Sequence, residues 1–144
     1  MSLLKIARVP PITIGTSATI RDAVDLMNRD NAGAVVIVKG GRALGIFTAR
    51  DLLRRVVSGR LPLDSTPLTE VMTSPLTVAR RETTCEEAME LMVNHKVHHL
   101  PIVDEDGRPC GMLSTRHLLR NMVENLSHEL HSLDSYFSAD GIGG

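Results

Sequence analysis

The sequence predicts an α/β (α+β) chain made of one β-α-β-β-α unit used twice. Three observations carry that reading. The first is a duplicated strand-to-helix junction: Gly45-Ile46-Phe47-Thr48-Ala49-Arg50-Asp51 returns as Gly111-Met112-Leu113-Ser114-Thr115-Arg116-His117, at an offset of 66 (111 − 45). The second is a pair of apolar stripes, Ile20, Ala23, Val24, Met27 and Cys85, Ala88, Met89, Met92. Both fall at i, i+3, i+4, i+7, one face of a helix. The third is a pair of continuously apolar strands, Ala34 to Val38 and His99 to Val103, of the kind that is covered on both faces. Matched elements returning in the same order mark an internal repeat.

Taken in order, Met1 to Pro10 is a lead-in with mild positive charge, and Pro10-Pro11 stops any helix there. Ile12-Thr13-Ile14 is a short strand. Gly15 and Ser17 lead into the first helix, which Asn31-Ala32-Gly33 breaks. Lys39-Gly40-Gly41-Arg42 is a hairpin turn between the apolar strand and a second strand, Ala43 to Phe47. Leu52, Leu53, Val56 and Val57 mark a helix ending at Gly59. Arg60 to Pro67, with the breakers Pro62, Asp64, Ser65 and Pro67, is a linker. Leu68 to Thr73 is a short helical turn closed by Ser74-Pro75. Leu76-Thr77-Val78 then opens the second pass, Asp104 to Gly107 is its turn, and Leu118, Leu119, Met122 and Val123 mark its last helix. The offset drifts by single residues, which places insertions in loops. These limits give units at 8–66 and 67–126. A third stretch, 127–144, is a helical extension carrying Leu130 and Leu133 that ends in a frayed glycine-rich tail. A unit of about 60 residues has little core of its own and should bury a face against its copy.

Composition narrows the function classes. The chain has 144 residues, 42% hydrophobic and 23% charged, as a globular protein requires. Sixteen basic against seventeen acidic residues leave no electrostatic footprint for nucleic acid or an anionic membrane. Aromatics at 2% offer no stacking platform for single strands. Cys85 and Cys110 form no CxxC pair, so neither a redox motif nor a disulfide scaffold is expected. No signal peptide and no span of about 18 apolar residues is present, so a cytoplasmic protein is expected. GxSxG, Walker A, HExxH and CxxC patterns are absent, and Asp51 has no acid or base near it in sequence, which argues against an enzyme.

The duplication, the Val71-Met72-Thr73-Ser74-Pro75 lead-in, the His99-Leu100-Pro101-Ile102-Val103-Asp104 strand and the Gly45-to-Asp51 junction together resemble the CBS domain family, over roughly residues 8 to 125. The resemblance implies a stand-alone tandem pair, the arrangement called a Bateman module. Its two units would pack by their sheets about a pseudo-twofold axis. Two clefts between them would take adenine nucleotides (AMP, ADP or ATP) or S-adenosylmethionine, with no cofactor required. Pairs would associate into homodimers and regulate a protein on another chain.

For the first cleft, the residues themselves are informative. Asp51 lies in the first turn of a helix, and a carboxylate there accepts two hydroxyl hydrogens at once, as a ribose diol offers. The plain alternative is an acid that only complements the helix dipole. Thr48, one turn upstream, is a donor for phosphate, helped by the amides at the helix start. Ile46 would pack against the base. By resemblance, Thr83 and Ala88 sit beside adenine and ribose, and the backbone of Val97, His98 and His99 reads the adenine edge. Arg50 and Lys96 are nearby phosphate candidates. The second cleft would use Met112, Ser114, Arg116 and His117, with Ala18, Ala23, Gly33 and Ala34 from the first unit. There His117 replaces the ribose-binding acid and Ala18 stands where the first cleft has Thr83. This cleft is therefore expected to be weak, empty or specific for something else. The histidines carry no acidic or cysteine partner at zinc spacing, and His98 and His99 alternate across a strand, so no metal is expected.

The leading functional expectation is a non-catalytic regulatory module that binds an adenosyl ligand. The competing one is a structural dimerisation or partner-docking module with no physiological nucleotide.

Overall fold

The computed structural model describes residues 2–139, with side chains to residue 133. Within the first unit, strand β1 (Thr13–Gly15) is followed by helix α1 (Ile20–Arg29) and the hairpin β2 (Ala34–Lys39) and β3 (Arg42–Thr48). Helix α2 begins at Ala49–Asp51 and runs on with π-type bonding over Leu52–Val57. The second unit repeats the order: β4 (Ala79–Arg80), α3 (Cys85–His95), β5 (His99–Val103), β6 (Pro109–Ser114) and α4 (Thr115–Ala139). Each unit contributes a three-stranded sheet, β1-β2-β3 and β4-β5-β6, in which the leading strand is parallel to the middle one and the hairpin is antiparallel.

The side chains explain why these segments take these forms. Thr19 and Thr84 cap α1 and α3, each closing a reciprocal capping box with Asp22 and Glu87 three residues on. Gly40 and Gly41 both have positive φ (59° and 79°), the backbone that a two-residue hairpin turn demands. Along β2, Val35 and Ile37 join the core under α1, whereas Ala34 and Val36 meet Ile46 and Met112 in a separate layer. The period of two sends alternate residues to opposite faces. That layer combines β2 and β3 with β6, so the units do pack sheet to sheet.

The lead-in segments are exchanged between the units. Arg8, ahead of the first unit, pairs with Met112 of β6 in the second, while Thr73, ahead of the second, pairs with Ile46 of β3 in the first. The bonds are reciprocal: Arg8 N to Met112 O is 2.9 Å and Met112 N to Arg8 O 3.0 Å, against 3.0 and 2.8 Å for Ile46 and Thr73. The short helical turns upstream follow the same exchange. Leu3, in the turn Leu3–Lys5, lies in the core of the second unit, and Leu68, in the turn Leu68–Glu70, lies in the core of the first. The duplicated glycines make this approach possible. A Cβ at Gly45 would stand 2.9 Å from the Thr73 carbonyl oxygen, and one at Gly111 would stand 2.8 Å from the Leu4 side chain.

Two expectations need correction. The leading strands lie later than expected, at Thr13–Gly15 and Ala79–Arg80 in place of Ile12–Ile14 and Leu76–Val78. Leu76 is instead drawn against the layer between the sheets, so the second strand starts only beyond it. The lead-in before Pro10, to which the sequence alone assigns no packing role, is integral to the fold, since Leu3, Leu4, Ile6 and Ala7 pack in the second core. No helix among the described residues is long and apolar enough to cross a membrane.

Candidate functional site

Two clefts open where the sheets meet, and a strand-to-helix junction forms one wall of each. The first has a volume of about 300 Å³ and is lined by Ile46, Thr48, Ala49, Arg50, Asp51, Arg54 and Arg55 from β3 and α2. Thr73 enters from the exchanged lead-in. The opposite wall is Lys96, Val97, His98 and His99, with Gly33 at the edge. Lys96 adopts a left-handed conformation (φ 55°) that ends α3, its N–H bonded to Met92 and Val93 carbonyls. That turn carries Lys96 to His98 across the cleft mouth.

Asp51 is held rigidly. Its Oδ2 accepts from the Thr48 N–H at 3.0 Å and the Thr48 hydroxyl at 3.2 Å, and the Asp51 N–H returns to Thr48 Oγ1 at 3.1 Å. Oδ1 accepts from Thr73 Oγ1 at 3.4 Å and lies 3.7 Å from Arg55 Nε. Arg55 is itself fixed by donating to the Val71 and Met72 carbonyls at 3.2 and 3.0 Å. The carboxylate is 14% exposed, so it reaches the cleft without being a surface acid. It closes the cap and lines the cleft at once. Thr48 Oγ1 stands 3.2 Å from Asp51 Oδ2 and also lines the cleft, so its hydroxyl serves the capping box from the cleft wall.

The second cleft, of about 470 Å³, is lined by Met112, Ser114, Thr115, Arg116 and His117 together with Asn31, Ala32, Gly33 and Ala34. Arg8 enters from its exchanged lead-in, the counterpart of Thr73. His98 and His99 line this cleft as well as the first, so the two adjoin. The capping box recurs with a histidine in the acid's place: Ser114 N–H donates to His117 Nδ1 at 3.1 Å, and His117 N–H to Ser114 Oγ at 3.2 Å. Burial keeps His117 below its ordinary value of 6.5, reinforced by Arg116, Arg120 and Arg8. Burial does the same to His99, reinforced by His98 and His117.

The structure does not bring every expected residue to a cleft. Ala88 is fully buried in the second core, and Thr83 turns its hydroxyl to the Arg80 N–H at 2.9 Å, so neither lines the first cleft. Ala18 and Ala23 are likewise inside the first core rather than at the second cleft. The backbone of Val97 and His98 is partly used within the fold: Val97 N–H donates to Met92 O and the His98 carbonyl accepts from Thr115 N–H. Sequence reasoning missed Arg8, Thr73, Arg54, Arg55 and Asn31. For Arg8 and Thr73 the signal was available, since each precedes a proline pair or Ser-Pro at equivalent places in the repeat. Among the described residues, no three His, Cys, Asp or Glu side chains cluster as metal ligands.

The low His99 value has a consequence for stability. A histidine whose folded pKa lies below 6.5 binds fewer protons folded than unfolded, so its contribution is full above about pH 6.5 and falls as the pH drops below it. Urea unfolding midpoints should therefore fall between pH 7.5 and 5.5, and His99→Gln should flatten that slope. An unchanged slope in the variant would remove His99 as its source.

Fold and clefts together define a class: a pseudo-symmetric two-unit module with paired clefts at the sheet interface. The CBS domain model matches the chain twice, at residues 5–58 and 68–124, and the chain belongs to that family. A curated relative, the mitochondrial CBS domain-containing protein CBSX3 of Arabidopsis thaliana, is 36% identical over 126 residues. The match covers 84% of this chain but only 61% of the relative's length. Among solved structures, the CBS domain protein PAE2072 from Pyrobaculum aerophilum complexed with AMP is 28% identical with a TM-score of 0.77, covering 89% of this chain and 99% of that one. The CBS domain pair of MJ0100, in complex with 5′-methylthioadenosine and S-adenosyl-L-methionine, has a TM-score of 0.79 over 87% of this chain and 98% of that one. At 21% identity it supports the fold alone.

Proposed function

We propose that the chain is a non-catalytic regulatory module whose first cleft binds an adenosine-containing ligand, an adenine nucleotide ahead of S-adenosylmethionine. The observation that carries this is the Asp51 carboxylate, fixed at the cleft wall by Thr48 and Arg55 with oxygen lone pairs still available to a diol. Ile46 and Val97 provide apolar walls for a base. Arg50, Arg54 and Lys96 surround the cleft with positive charge, which favours a phosphate. The AMP complex of the Pyrobaculum relative supports the same reading. Asp51 is engaged in its cap by Thr48 and Arg55, which fits binding better than turnover. A cytoplasmic location belongs to this reading, and the two free thiols suit a reducing compartment.

Calorimetric titration with AMP, ADP, ATP and S-adenosylmethionine tests it. Saturable binding of at least one, at one site per chain that prefers the ribose over its 2′,3′-dideoxy analogue, is the expected result. Absence of binding by all four would sink it.

A homodimer is part of the proposal. Leu53 and Val57 on α2 are 65% and 59% exposed, and their counterparts Leu119 and Val123 on α4 are 53% and 60% exposed. Apolar rows at the same place in both units suit a self-complementary interface. The same rows favour the competing reading of a docking module for a regulated protein on another chain. A dimer by sedimentation, lost in Leu53→Glu with Leu119→Glu, is expected, and a monomeric parent protein would favour docking.

A further inference from the structure

We propose that the second cleft is an oxyanion site for a phosphate or short oligophosphate, not a second ribose site. The two junctions use one device with opposite polarity. At the first, Asp51 closes the capping box with a carboxylate, whose remaining lone pairs accept hydrogen bonds. At the second, His117 closes it through Nδ1, which accepts from the Ser114 N–H at 3.1 Å. An imidazole nitrogen that accepts an N–H bond is unprotonated, so the proton of the neutral ring sits on Nε2. A single residue therefore turns the ligand-facing group from an acceptor into a donor. A diol bound by a carboxylate through both hydroxyl hydrogens has no partner there, whereas an oxyanion does.

The rest of the lining agrees. Arg8 and Arg116 both face the cleft, and no Asp or Glu is among the described residues that line it. Arg8 spends one N–H on the Asp30 carbonyl at 3.0 Å, which orients the guanidinium and leaves further donors. Arg116 is exposed and makes no ion pair among the described residues. Ser114 and Asn31 add polar groups. His117 is held below its ordinary value first by burial and then by Arg116, Arg120 and Arg8, a positive field that an anion would relieve. The anion has two possible sources. It is either a free oligophosphate or the phosphate chain of a nucleotide seated in the first cleft, because Gly33, His98 and His99 border both.

The test is a titration of the full chain with inorganic diphosphate, read separately from nucleotide binding. Wild type should bind it saturably, and Asp51→Ala should bind it equally well. His117→Asp, which can keep the capping box, and the surface change Arg116→Gln should each weaken it at least tenfold. If diphosphate does not saturate wild type, or both variants bind it as wild type does, the proposal is overturned whatever adenosine ligands do at Asp51. Competition assigns the source. Displacement of diphosphate by ATP but not by adenosine points to the nucleotide's own phosphates, and simultaneous binding points to a free oligophosphate.

Discussion

Leu3→Ala is expected to destabilise the protein by about 2–5 kcal/mol, the range for deleting a leucine side chain from a packed core. By position Leu3 is a residue of the lead-in, yet it has no exposed surface and lies among Ala88, Met92, Leu100, Ile102, Leu113 and Leu118 of the second unit. Leu68 is its counterpart, fully buried among Ile20, Phe47, Val56 and Val71 of the first unit, and Leu68→Ala should cost a similar amount. Each substitution leaves a cavity in the unit that the segment does not precede. Because each unit lends a segment to the other, both variants should unfold in one cooperative transition rather than shed one unit first. Urea melts followed by circular dichroism measure this, with Leu126→Ala as a control. Leu126 is 57% exposed, and its loss should stay within about 0.5 kcal/mol. If Leu3→Ala behaves like the control, the lead-in does not belong to the second core.

That exchange is also where the sequence was least legible. Periodicity found the elements that own a continuous apolar face: α1, α3, β2 and β5 lie where the repeat placed them. It could not find segments whose only apolar commitments are one or two side chains inserted into a distant core. Leu3 and Leu68 carry no local pattern, so the first reads as part of a lead-in and the second as a turn beside a linker. Site residues followed the same division. The junction was legible because a strand, a hydroxyl residue and an acid three positions later have one local meaning, a capping box. Thr73 and Arg8 reach the clefts through pairing across the pseudo-twofold; their equivalent places before the proline motifs mark them as counterparts, but nothing local says which sheet each joins. Thr83, Ala88, Ala18 and Ala23 were assigned by resemblance alone, and the helical period that makes Ala88 and Ala23 good core residues carries them away from the clefts. The half-exposed rows on α2 and α4 make a related point. Leu53, Val57, Leu119 and Val123 satisfy the periodicity of a buried stripe, yet the monomer leaves them uncovered.

The role of Asp51 makes the sharpest prediction about binding. Asp51→Ala should lower affinity for an adenine nucleotide by about 10–100-fold, equivalent to the loss of about one charge-assisted hydrogen bond at 1.5–3 kcal/mol, because water takes up part of what the two ribose hydroxyls lose. It should also cost about 1 kcal/mol of stability, because Thr48 N–H loses its capping partner. Asp51→Asn separates the two effects. Its amide oxygen can still accept from Thr48 N–H, so stability should stay close to wild type, while the carboxylate's capacity to take both ribose hydroxyls is gone. The decisive comparison is a cycle between this variant and the 2′,3′-dideoxy analogue of the ligand. If the carboxylate binds the diol, wild type should discriminate against the analogue and Asp51→Asn should not, since the partner of those hydroxyls is already lost. Equal discrimination by both proteins would mean that the diol lies elsewhere in the cleft. Asp51 would then be a cap that Arg55 and Thr73 hold in place for the fold alone.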